Sequence, residues 1–384
     1  MHLYLHIPFC KQACHYCDFH FSTSLKSKAE LVTAICREIT LQKDYLPTRE
    51  LETIYFGGGT PSLLTEAELG QIFETIHQIY HVQPSAEITL EANPDDLTSQ
   101  KLLSLRPFIN RLSIGLQSFH EPYLRFMNRA HNAAESEASV KRAQDYGFYN
   151  LTIDLMYGMS ETQLGIEHLP TFSDEQLWQR DLEKAVALNT PHISAYNLTI
   201  EPKTALGSWL KKGKIKVVDE ELSAHHFEQM ITYLNSNQYE QYEISNFARN
   251  GWYARHNSSY WKRRSYLGVG PSAHSFNGTS RHYNVANNTL YIQSLKAGNL
   301  PYEAEILSPF DQVNDYLLTS LRTVWGCDLG VIQQLAGIDL REIQKKYLDA
   351  FRKNEWIIIE NNVLFLTPKG KLFADRIASD LFVI

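Results

Sequence analysis

Several features that mark whole classes of protein are missing from this sequence of 384 residues. It has no run of eighteen apolar residues and no low-complexity tract, so we predict no transmembrane helix. The first residues, MHLYLHIPF, lack the basic and long apolar segments of a signal peptide, and a cytoplasmic protein is expected. Basic residues are also fewer than acidic ones, 36 Lys or Arg against 43 Asp or Glu, which gives a formal net charge of -7. This balance argues against a broad electrostatic grip on nucleic acid.

Cysteine is scarce, and its placement is uneven. Three of the five cysteines, Cys10, Cys14 and Cys17, lie in the segment HIPFCKQACHYCDFHF, residues 6–21. Disulfides are a poor interpretation, because thiols stay reduced in the cytoplasm. Three thiolates would leave one position of a four-iron cluster, or of a zinc ion, without a cysteine ligand. An open position of this kind is where chemistry can occur.

Two other interpretations of the triplet stay open at this point. A zinc ion would recruit His15 or His20 as its fourth ligand, although structural zinc sites usually combine two separated pairs and here all candidates share one loop. The three cysteines could also be core residues without a ligand. Of the other two cysteines, Cys36 has the helical period of a core residue in LVTAICREI, and Cys327 is expected in a loop or in packing.

Short β-branched or aromatic runs alternate with longer segments of helical period, which is typical of a parallel sheet covered by helices. In the segment after TIYFGGGTPS, Thr65 and Glu68 form a capping box and apolar residues then follow on one helix face. Six parallel strands predict an α/β fold with an open, partial (β/α)6 barrel, whose chemistry lies at the carboxyl ends of the strands. The predicted strands are residues 3–7, 53–56, 87–91, 111–115, 151–156 and 192–197, and further helices are predicted near 28–44, 132–146 and 174–188.

Two units are expected along the chain, a barrel over residues 1–299 and a small helical domain over 300–384. In the second unit, helices precede a hairpin, WIIIENNVLFLT, and a final helix from Pro368, which indicates a winged-helix-like domain. From residue 305 onward, nine Lys or Arg residues face eleven Asp or Glu residues, so DNA binding is disfavoured. The segment GMSETQLGIEHLPTFS, residues 158–173, is predicted to be a long loop that serves as a lid or is simply an insertion.

The C-x3-C-x2-C spacing resembles that of the radical S-adenosylmethionine (SAM) proteins. Further motifs follow in order at the predicted strand ends: YFGGGTPS, EANP, RLSIGLQSF, NRAH and IDLMYG. This series resembles the oxygen-independent coproporphyrinogen III oxidase family over nearly the whole chain. The resemblance implies that Cys10, Cys14 and Cys17 hold a 4Fe-4S cluster. The amino and carboxylate groups of SAM would then chelate the fourth iron.

The same resemblance implies further contacts, for which ordinary core packing or buried salt bridges inside the barrel are the alternative. Tyr16 matches a position against the adenine and Tyr4 a position near the cofactors. A guanidinium at Arg129 suits a carboxylate. The complete set of implied SAM-site contacts is Tyr4, Tyr16, Gly58, Gly59, Thr60, Glu91, Gln117, Arg129, Asp154 and the weaker Thr199.

Two departures separate this chain from the oxidases. The oxidases have a fourth cysteine two residues after the third, where this chain has Phe19, and they carry an extension before the first strand. Both differences favour the oxidase-like heme-chaperone branch of the family, which carries a His-Asn-x-x-Tyr-Trp motif proposed to bind heme. Here that motif is HNSSYW, with His256 as a candidate axial ligand and Tyr260 and Trp261 as aromatic contacts. The alternative for His256 is a hydrogen-bonded core residue. Four neighbouring basic residues could meet the heme propionates or form a solvated surface: Arg255, Lys262, Arg263 and Arg264.

The resemblance therefore predicts a heme chaperone that binds heme, a 4Fe-4S cluster and SAM, and passes heme to an acceptor protein. An oxygen-independent coproporphyrinogen III oxidase, which decarboxylates propionate side chains, is the alternative, and a cluster-bearing binding protein without radical chemistry is a third. The resemblance also implies an electron donor such as a flavodoxin or ferredoxin. Transient contact with membrane-bound acceptors is expected as well.

Overall fold

The strands of the computed structural model, which describes residues 1–166 and 172–384, include every strand predicted from the sequence. They are β1 (His2–Ile7), β2 (Glu50–Gly58), β3 (His81–Ala92), β4 (Arg111–Gln117), β5 (Asn150–Tyr157), β6 (His192–Asn197), β7 (Glu240–Glu243), β8 (Asn246–Ala248), β9 (Tyr266–Val269), β10 (His274–Phe276), β11 (Ser280–Asn284), β12 (Tyr302–Ile306), β13 (Cys327–Asp328), β14 (Ile357–Glu360) and β15 (Val363–Leu366).

The helices fill the connections between these strands and build most of the C-terminal region. They are α1 (Lys28–Leu41), α2 (Glu66–Ile79), α3 (Ser99–Leu105), α4 (Glu121–Phe126), α5 (Ala133–Asp145), α6 (Glu161–Leu164), α7 (Asp174–Ala187), α8 (Ala205–Lys211), α9 (Glu220–Ser236), α10 (Arg255–Trp261), α11 (Asn288–Lys296), α12 (Pro309–Ser320), α13 (Leu329–Ala336), α14 (Leu340–Ile343), α15 (Lys345–Lys353) and α16 (Ala374–Asp380).

Twelve strands of the described chain form one sheet, in the order β12-β11-β10-β9-β1-β2-β3-β4-β5-β6-β8-β7. The strands β1 to β6 are parallel, as predicted, and β9 joins them as a seventh parallel strand beside β1. No pairing joins β12 to β7 among the described residues, so the sheet is an open, partial barrel. The predicted fold class is thereby confirmed.

Side chains alternate along the parallel strands, and this alternation decides which face of the sheet is polar. Along β1, Leu3, Leu5 and Ile7 are fully buried in the core between the sheet and its helices. The intervening residues face the inside of the barrel. The same period places a polar set inside the barrel, which includes Thr53, Tyr55, Glu87, Glu91, Arg111, Ser113, Thr152, Asp154, His192 and Ser194.

The helix α2 shows how local sequence fixes the outer layer. Thr65 accepts a hydrogen bond from the Glu68 amide, and the Glu68 carboxylate accepts one from the Thr65 amide, so the predicted capping box is confirmed. The apolar positions that follow, Leu69, Ile72, Phe73 and Ile76, are buried against the sheet. Cys36 is buried on α1 in the same core, as predicted.

The C-terminal region has its own apolar core, built from residues between Val313 and Val383. Its three-stranded antiparallel sheet has the order β13-β15-β14, and the predicted hairpin turns at Asn361 and Asn362, both with positive φ. The helix α16 ends the unit, which is the small helical domain expected. Cys327 is fully buried in this core. The division of the chain at residue 300 stays a prediction.

The predicted loop over residues 158–173 is described only in part. It contains the short helix α6, which the sequence had not indicated, and residues 167–171 lie outside the described residues. In the described part of the chain, no helix combines the length and apolar character needed to span a membrane.

Candidate functional site

A cavity of about 450 Å³ opens at the carboxyl ends of β1 to β6, and the three clustered cysteines line it. None of the three is in a disulfide. Eight of the ten residues predicted to contact SAM line the same cavity: Tyr16, Gly58, Gly59, Thr60, Glu91, Gln117, Arg129 and Asp154. The fold therefore gathers residues from the ends of four strands, β2 to β5, from the segment after α4 and from the cysteine loop, which are far apart in the chain.

Backbone hydrogen bonds hold the cysteine loop over this cavity. The Cys10 amide donates to the Ser22 carbonyl at 3.0 Å, and the Ser22 amide donates to the Pro8 carbonyl at 2.7 Å. Inside the loop, the Cys17 amide donates to the Cys14 carbonyl at 3.3 Å. These bonds fix the loop that carries the three cysteines at the end of the first strand.

The histidines of this loop point elsewhere. The ring of His15 hydrogen-bonds to the Phe126 carbonyl at 2.7 Å, and that of His20 to the Asn288 side chain at 2.8 Å. Neither lines the cavity with the cysteines. Within residues 1–166 and 172–384, no three His, Cys, Asp or Glu side chains are grouped closely enough to hold a single metal ion. Because His15 and His20 are both bonded elsewhere, the arrangement disfavours the zinc interpretation, which needs one of them as the fourth ligand.

Arg129 connects the cysteine loop to the strand ends. One end of its guanidinium, Nη1, donates to the Cys14 Sγ at 3.4 Å and to the Tyr16 hydroxyl at 3.2 Å. The other end, Nη2, donates to the Asn93 side chain at 2.8 Å and to the Gly115 carbonyl at 2.7 Å. Its Nε is buried and has no partner among the described residues. A buried N–H donor without a partner is costly, so this atom is suited to an anionic ligand in the cavity.

Two carboxylates lie on the wall of the cavity. Glu91 accepts hydrogen bonds from the Tyr55 hydroxyl at 2.8 Å and from the Gly58 amide at 3.2 Å, while Asp154 accepts one from Ser113 at 3.2 Å. Burial raises the pKa of Glu91 to about 7 and that of Asp154 to about 6. Buried carboxyl oxygens with spare lone pairs are suited to hydroxyl or ammonium donors of a bound ligand.

The glycine triplet ends β2 where the chain passes very close to β1. A Cβ at Gly59 would lie 2.8 Å from backbone atoms of Ile7 and Phe9, and Gly58 has a φ of 104°. Only glycine fits at these two positions. At the end of β4, Gln117 has a φ of 66°, which is unusual for a residue with a side chain, and a bulge there redirects the strand. Such backbone strain is common at functional sites.

Two predicted SAM contacts lie outside this cavity. Tyr4 lines a neighbouring cavity, and its hydroxyl is 3.1 Å from Nδ1 of His6. Because the His6 Nε2 donates to the His20 carbonyl, Nδ1 is the acceptor and Tyr4 is the donor. Thr199 lines a third cavity near the C-terminal region. Both assignments stay predictions.

His256 is buried in the barrel wall, 1% exposed, and both of its ring nitrogens have partners. Nδ1 is 2.6 Å from the Thr53 hydroxyl and Nε2 is 2.8 Å from the Tyr260 hydroxyl. The ring also stacks on Tyr55 at 4.9 Å, and burial lowers its pKa well below the usual value. Axial ligation of heme by His256 would therefore require one of these hydrogen bonds to break.

The other aromatic members of the predicted heme motif, Tyr260 and Trp261, lie in different surroundings. Tyr260 lines the cavity that Tyr4 lines, whereas Trp261 lies under the guanidinium of Arg322. Of the four basic neighbours, Arg255 donates to the Ser85 carbonyl and Lys262 lies over Trp325. The remaining two, Arg263 and Arg264, line the cavity beside Tyr260.

Sequence reasoning missed several residues of the cysteine-lined cavity. Asn93 accepts from Arg129 and donates to Thr60, and its place in the EANP motif beside Glu91 could have revealed it. Asn257, the second residue of HNSSYW, lines the cysteine cavity, although only its neighbours were assigned roles. The polar wall residues Arg111, Ser113, Thr152 and Ser194 were missed too, and their alternation along the strands was the signal.

Family models match two parts of the chain. The Radical SAM superfamily model matches residues 4–169, and the HemN C-terminal domain model matches residues 307–373. The first match contains the cysteine loop and the ends of β1 to β5. The second lies in the unit with the separate C-terminal core.

Known proteins resemble the chain over most of its length. The heme chaperone HemW of Bacillus subtilis is 31% identical over 97% of this chain and 97% of its own length. The Escherichia coli HemW is 36% identical over 71% of this chain and 69% of its own length. The solved structure of the Escherichia coli coproporphyrinogen III oxidase HemN superposes with a TM-score of 0.82 at 22% identity, covering 99% of this chain and 89% of that one. At that identity, the likeness to HemN speaks for the fold alone.

Proposed function

Because this chain belongs to the HemW family of radical SAM proteins, we propose that it binds heme and a SAM-ligated 4Fe-4S cluster and passes the heme to an acceptor protein. The observation that carries the proposal is the cavity in which three free cysteines meet Arg129 and Glu91. We take heme as the cargo because the relatives are named heme chaperones. The site supplies a place for the cofactors.

We propose that Cys10, Cys14 and Cys17 hold the cluster. All three line one cavity, the loop that carries them is fixed by backbone hydrogen bonds, and both histidines of the loop are bonded elsewhere. Three ligands leave one iron for an exchangeable group. When bound, the cluster and SAM supply one-electron chemistry, while the protein positions SAM and excludes water.

The polar residues of the cavity would bind SAM. Arg129, with its unpartnered Nε and its bond to Tyr16, is suited to the SAM carboxylate. Glu91 and Asp154 would accept hydrogen bonds from the ribose hydroxyls or the amino group. Tyr16 would contact the adenine, the loop of Gly58, Gly59 and Thr60 would face the methionine part, and Gln117 would complete the polar contacts.

The heme contacts predicted at His256, Tyr260 and Trp261 are less well supported. Tyr260 lies on a cavity wall, but His256 is buried with both nitrogens hydrogen-bonded, and Trp261 faces Arg322. The motif thus supports heme binding through Tyr260 and the adjacent arginines, with His256 holding the Tyr260 hydroxyl in place. An acceptor protein and an electron donor of the flavodoxin or ferredoxin type stay predictions.

No observation favours the oxidase alternative beyond the shared fold. Phe19 occupies the place of the fourth oxidase cysteine, and its side chain is 67% exposed at the edge of the cysteine cavity. A phenylalanine cannot ligate iron and offers an aromatic surface instead. The proposed activity is therefore heme binding and transfer, without decarboxylation of coproporphyrinogen III.

An anaerobic titration tests the proposal. The full chain, with its cluster reconstituted, is titrated with hemin, and a parallel sample receives coproporphyrinogen III, SAM and a reductant. We expect saturable binding of heme and no decarboxylated porphyrin product. As a matched comparison, Phe19→Cys restores the oxidase pattern at one position and should not by itself create turnover.

Two results would contradict the proposal. Turnover of coproporphyrinogen III by the unchanged chain would establish the oxidase alternative. Absence of saturable heme binding would remove heme as the cargo, even if the cluster and SAM bind as proposed.

A further inference from the structure

A second cavity, of about 470 Å³, lies next to the cysteine cavity, and the inward-facing residues Tyr4 and His6 of β1 line it. Its floor is the face of β9, β10 and β11 that carries Tyr266, His274, Phe276 and Arg281. The end of α10 and the turn after it contribute Tyr260, Arg263 and Arg264. We call it the β10 cavity. Its size falls in the range of small-molecule sites.

We propose that the β10 cavity is where heme binds, with His274 as the axial ligand of the iron and the arginines as partners of the propionates. This inference rests on the proposed function and adds to it a place and a ligand. His256, the histidine that the sequence motif indicated, is not the ligand in this arrangement.

His274 differs from His256 in the properties that a ligand needs. Its side chain is exposed on β10, and neither ring nitrogen has a hydrogen-bond partner among the residues described. Its nearest aromatic neighbour is Tyr283, across the strand pair at 6.0 Å. A neutral imidazole with a free nitrogen at the edge of a cavity can bind iron without breaking another bond.

The local backbone explains why His274 faces the cavity. The strand β10 crosses β9 so closely that a Cβ at Gly268 would lie 2.0 Å from the His274 carbonyl oxygen. Ser275 points the other way and hydrogen-bonds to Gly268 at 2.9 Å. Because side chains alternate along a strand, His274 and Phe276 share the opposite face, which is the face of the cavity.

The wall chemistry fits a flat, largely apolar dianion. Tyr260 and Tyr266 meet edge to face at 4.6 Å, and Phe276 lies beside Tyr266, so aromatic rings surround the space. Three arginines and one aspartate, Asp315, line the cavity, which leaves an excess of two positive charges. Arg281 pairs with Asp315, whereas Arg264 is exposed and forms no ion pair with a described residue. Two propionates would balance this excess.

Phe19 lines both cavities. Its exposed ring belongs to the cysteine loop and also lines the β10 cavity, at the position where the oxidases have a fourth cysteine. In this chain, that position offers an apolar contact for a porphyrin edge close to the cluster. The two sites are thus neighbours that share one wall.

The test removes the ligand and restores it chemically. The full chain carrying His274→Gly is titrated anaerobically with hemin, with and without free imidazole, and compared with His282→Gly. His282 is the matched control, because it lies on the neighbouring strand β11 and stacks on Tyr302 at 4.2 Å, outside the lining of the cavity. Thermal unfolding and the cluster spectrum report whether each variant is folded.

We expect His274→Gly to lose the histidine-ligated heme spectrum, to bind hemin roughly tenfold or more weakly, and to regain the spectrum with imidazole. His282→Gly should match the unchanged chain. A histidine-ligated spectrum that persists in His274→Gly would overturn the inference while leaving heme binding itself in place. If the unchanged chain binds no heme, the proposed function and this inference fail together.

A second pair of variants tests the propionate contact independently. Arg264→Gln should weaken hemin binding roughly two- to fivefold, and the effect should vanish with the dimethyl ester of hemin. Lys262→Gln is the control, because Lys262 lies over Trp325 at 3.9 Å and outside the cavity lining. Equal effects of the two variants, or an effect that persists with the ester, would contradict the placement of the propionates.

Discussion

Arg129 donates a hydrogen bond to the Sγ of Cys14 at 3.4 Å, and by its other end it donates to the Gly115 carbonyl at 2.7 Å. One side chain therefore spans the distance from the cysteine loop to the end of β4. Its Nε is buried and has no hydrogen-bond partner among the described residues.

Arg129→Lys should weaken SAM binding roughly tenfold or more, because an ammonium cannot replace a guanidinium that bonds in several directions at once. The iron content should stay unchanged, since the three cysteines remain. Equilibrium binding of SAM to the cluster-loaded chain measures the effect. Arg125→Lys is the matched control, because Arg125 pairs with Glu121 at the exposed end of α4. Equal SAM affinity in both variants would remove Arg129 from the binding site.

Cys14→Ala should abolish the 4Fe-4S cluster, since two thiolates cannot hold it in this loop. Iron analysis and the visible absorption of the reconstituted protein measure the loss. Cys36→Ala is the control, because Cys36 is buried on α1 away from the cavity and should keep its iron. A full complement of iron in Cys14→Ala would show that the cluster has other ligands.

Glu91→Gln should change the pH dependence of stability in a defined direction. Burial raises the pKa of Glu91 from 4.5 to about 7, so the folded protein holds this proton more tightly than the unfolded chain does. The carboxyl group therefore lowers the stability of the folded protein as the pH rises from the pKa of the unfolded chain, 4.5, through the pKa of the folded protein, about 7. We compare the melting temperatures of the variant and of the unchanged chain in the absence of SAM. The variant minus unchanged-chain difference should be more positive at pH 8 than at pH 5.5. A difference that does not vary with pH would contradict the raised pKa.

Gly59→Ala should destabilise the end of β2 by about 1–3 kcal/mol or more and reduce cluster content, because its Cβ would strike the backbone that leads to Cys10. Gly70→Ala provides the contrast. Gly70 lies inside α2, where a Cβ would meet only Phe108 at 3.9 Å, so alanine should stabilise the chain by about 0.5–1 kcal/mol. Chemical denaturation of both variants tests the pair, and a Gly59→Ala chain as stable as Gly70→Ala would refute the close approach of β1 and β2.

Most of the barrel could be predicted from the sequence, and the reason is physical. Strands β1 to β6 are long runs bounded by clear turn signals, and their period of two separates the apolar outer face from the polar inner face. The cysteine loop and the motifs follow directly after strand ends, so topology alone brings them to one edge. This is why most of the predicted SAM contacts share one cavity.

The elements that escaped prediction are short or depend on long-range pairing. The strand β9 has four residues, and its parallel partner β1 lies more than 250 positions earlier in the chain. The strands β10 to β12 are similarly short, so the β10 cavity had no visible signal. The motif HNSSYW was interpreted as a set of adjacent contacts, but it folds as the helix α10. Helical rotation sends His256 into the barrel wall, Asn257 to the cysteine cavity and Trp261 toward Arg322.

The most direct measurement counts cluster iron and heme on one sample. The reconstituted full chain is loaded anaerobically with hemin, freed of excess ligand, and assayed for non-heme iron, heme and the heme spectrum. We predict about four non-heme irons and about one histidine-ligated heme per chain, bound together. Heme that displaces the cluster, or a chain that keeps its cluster and retains no heme, would contradict a chaperone that holds both.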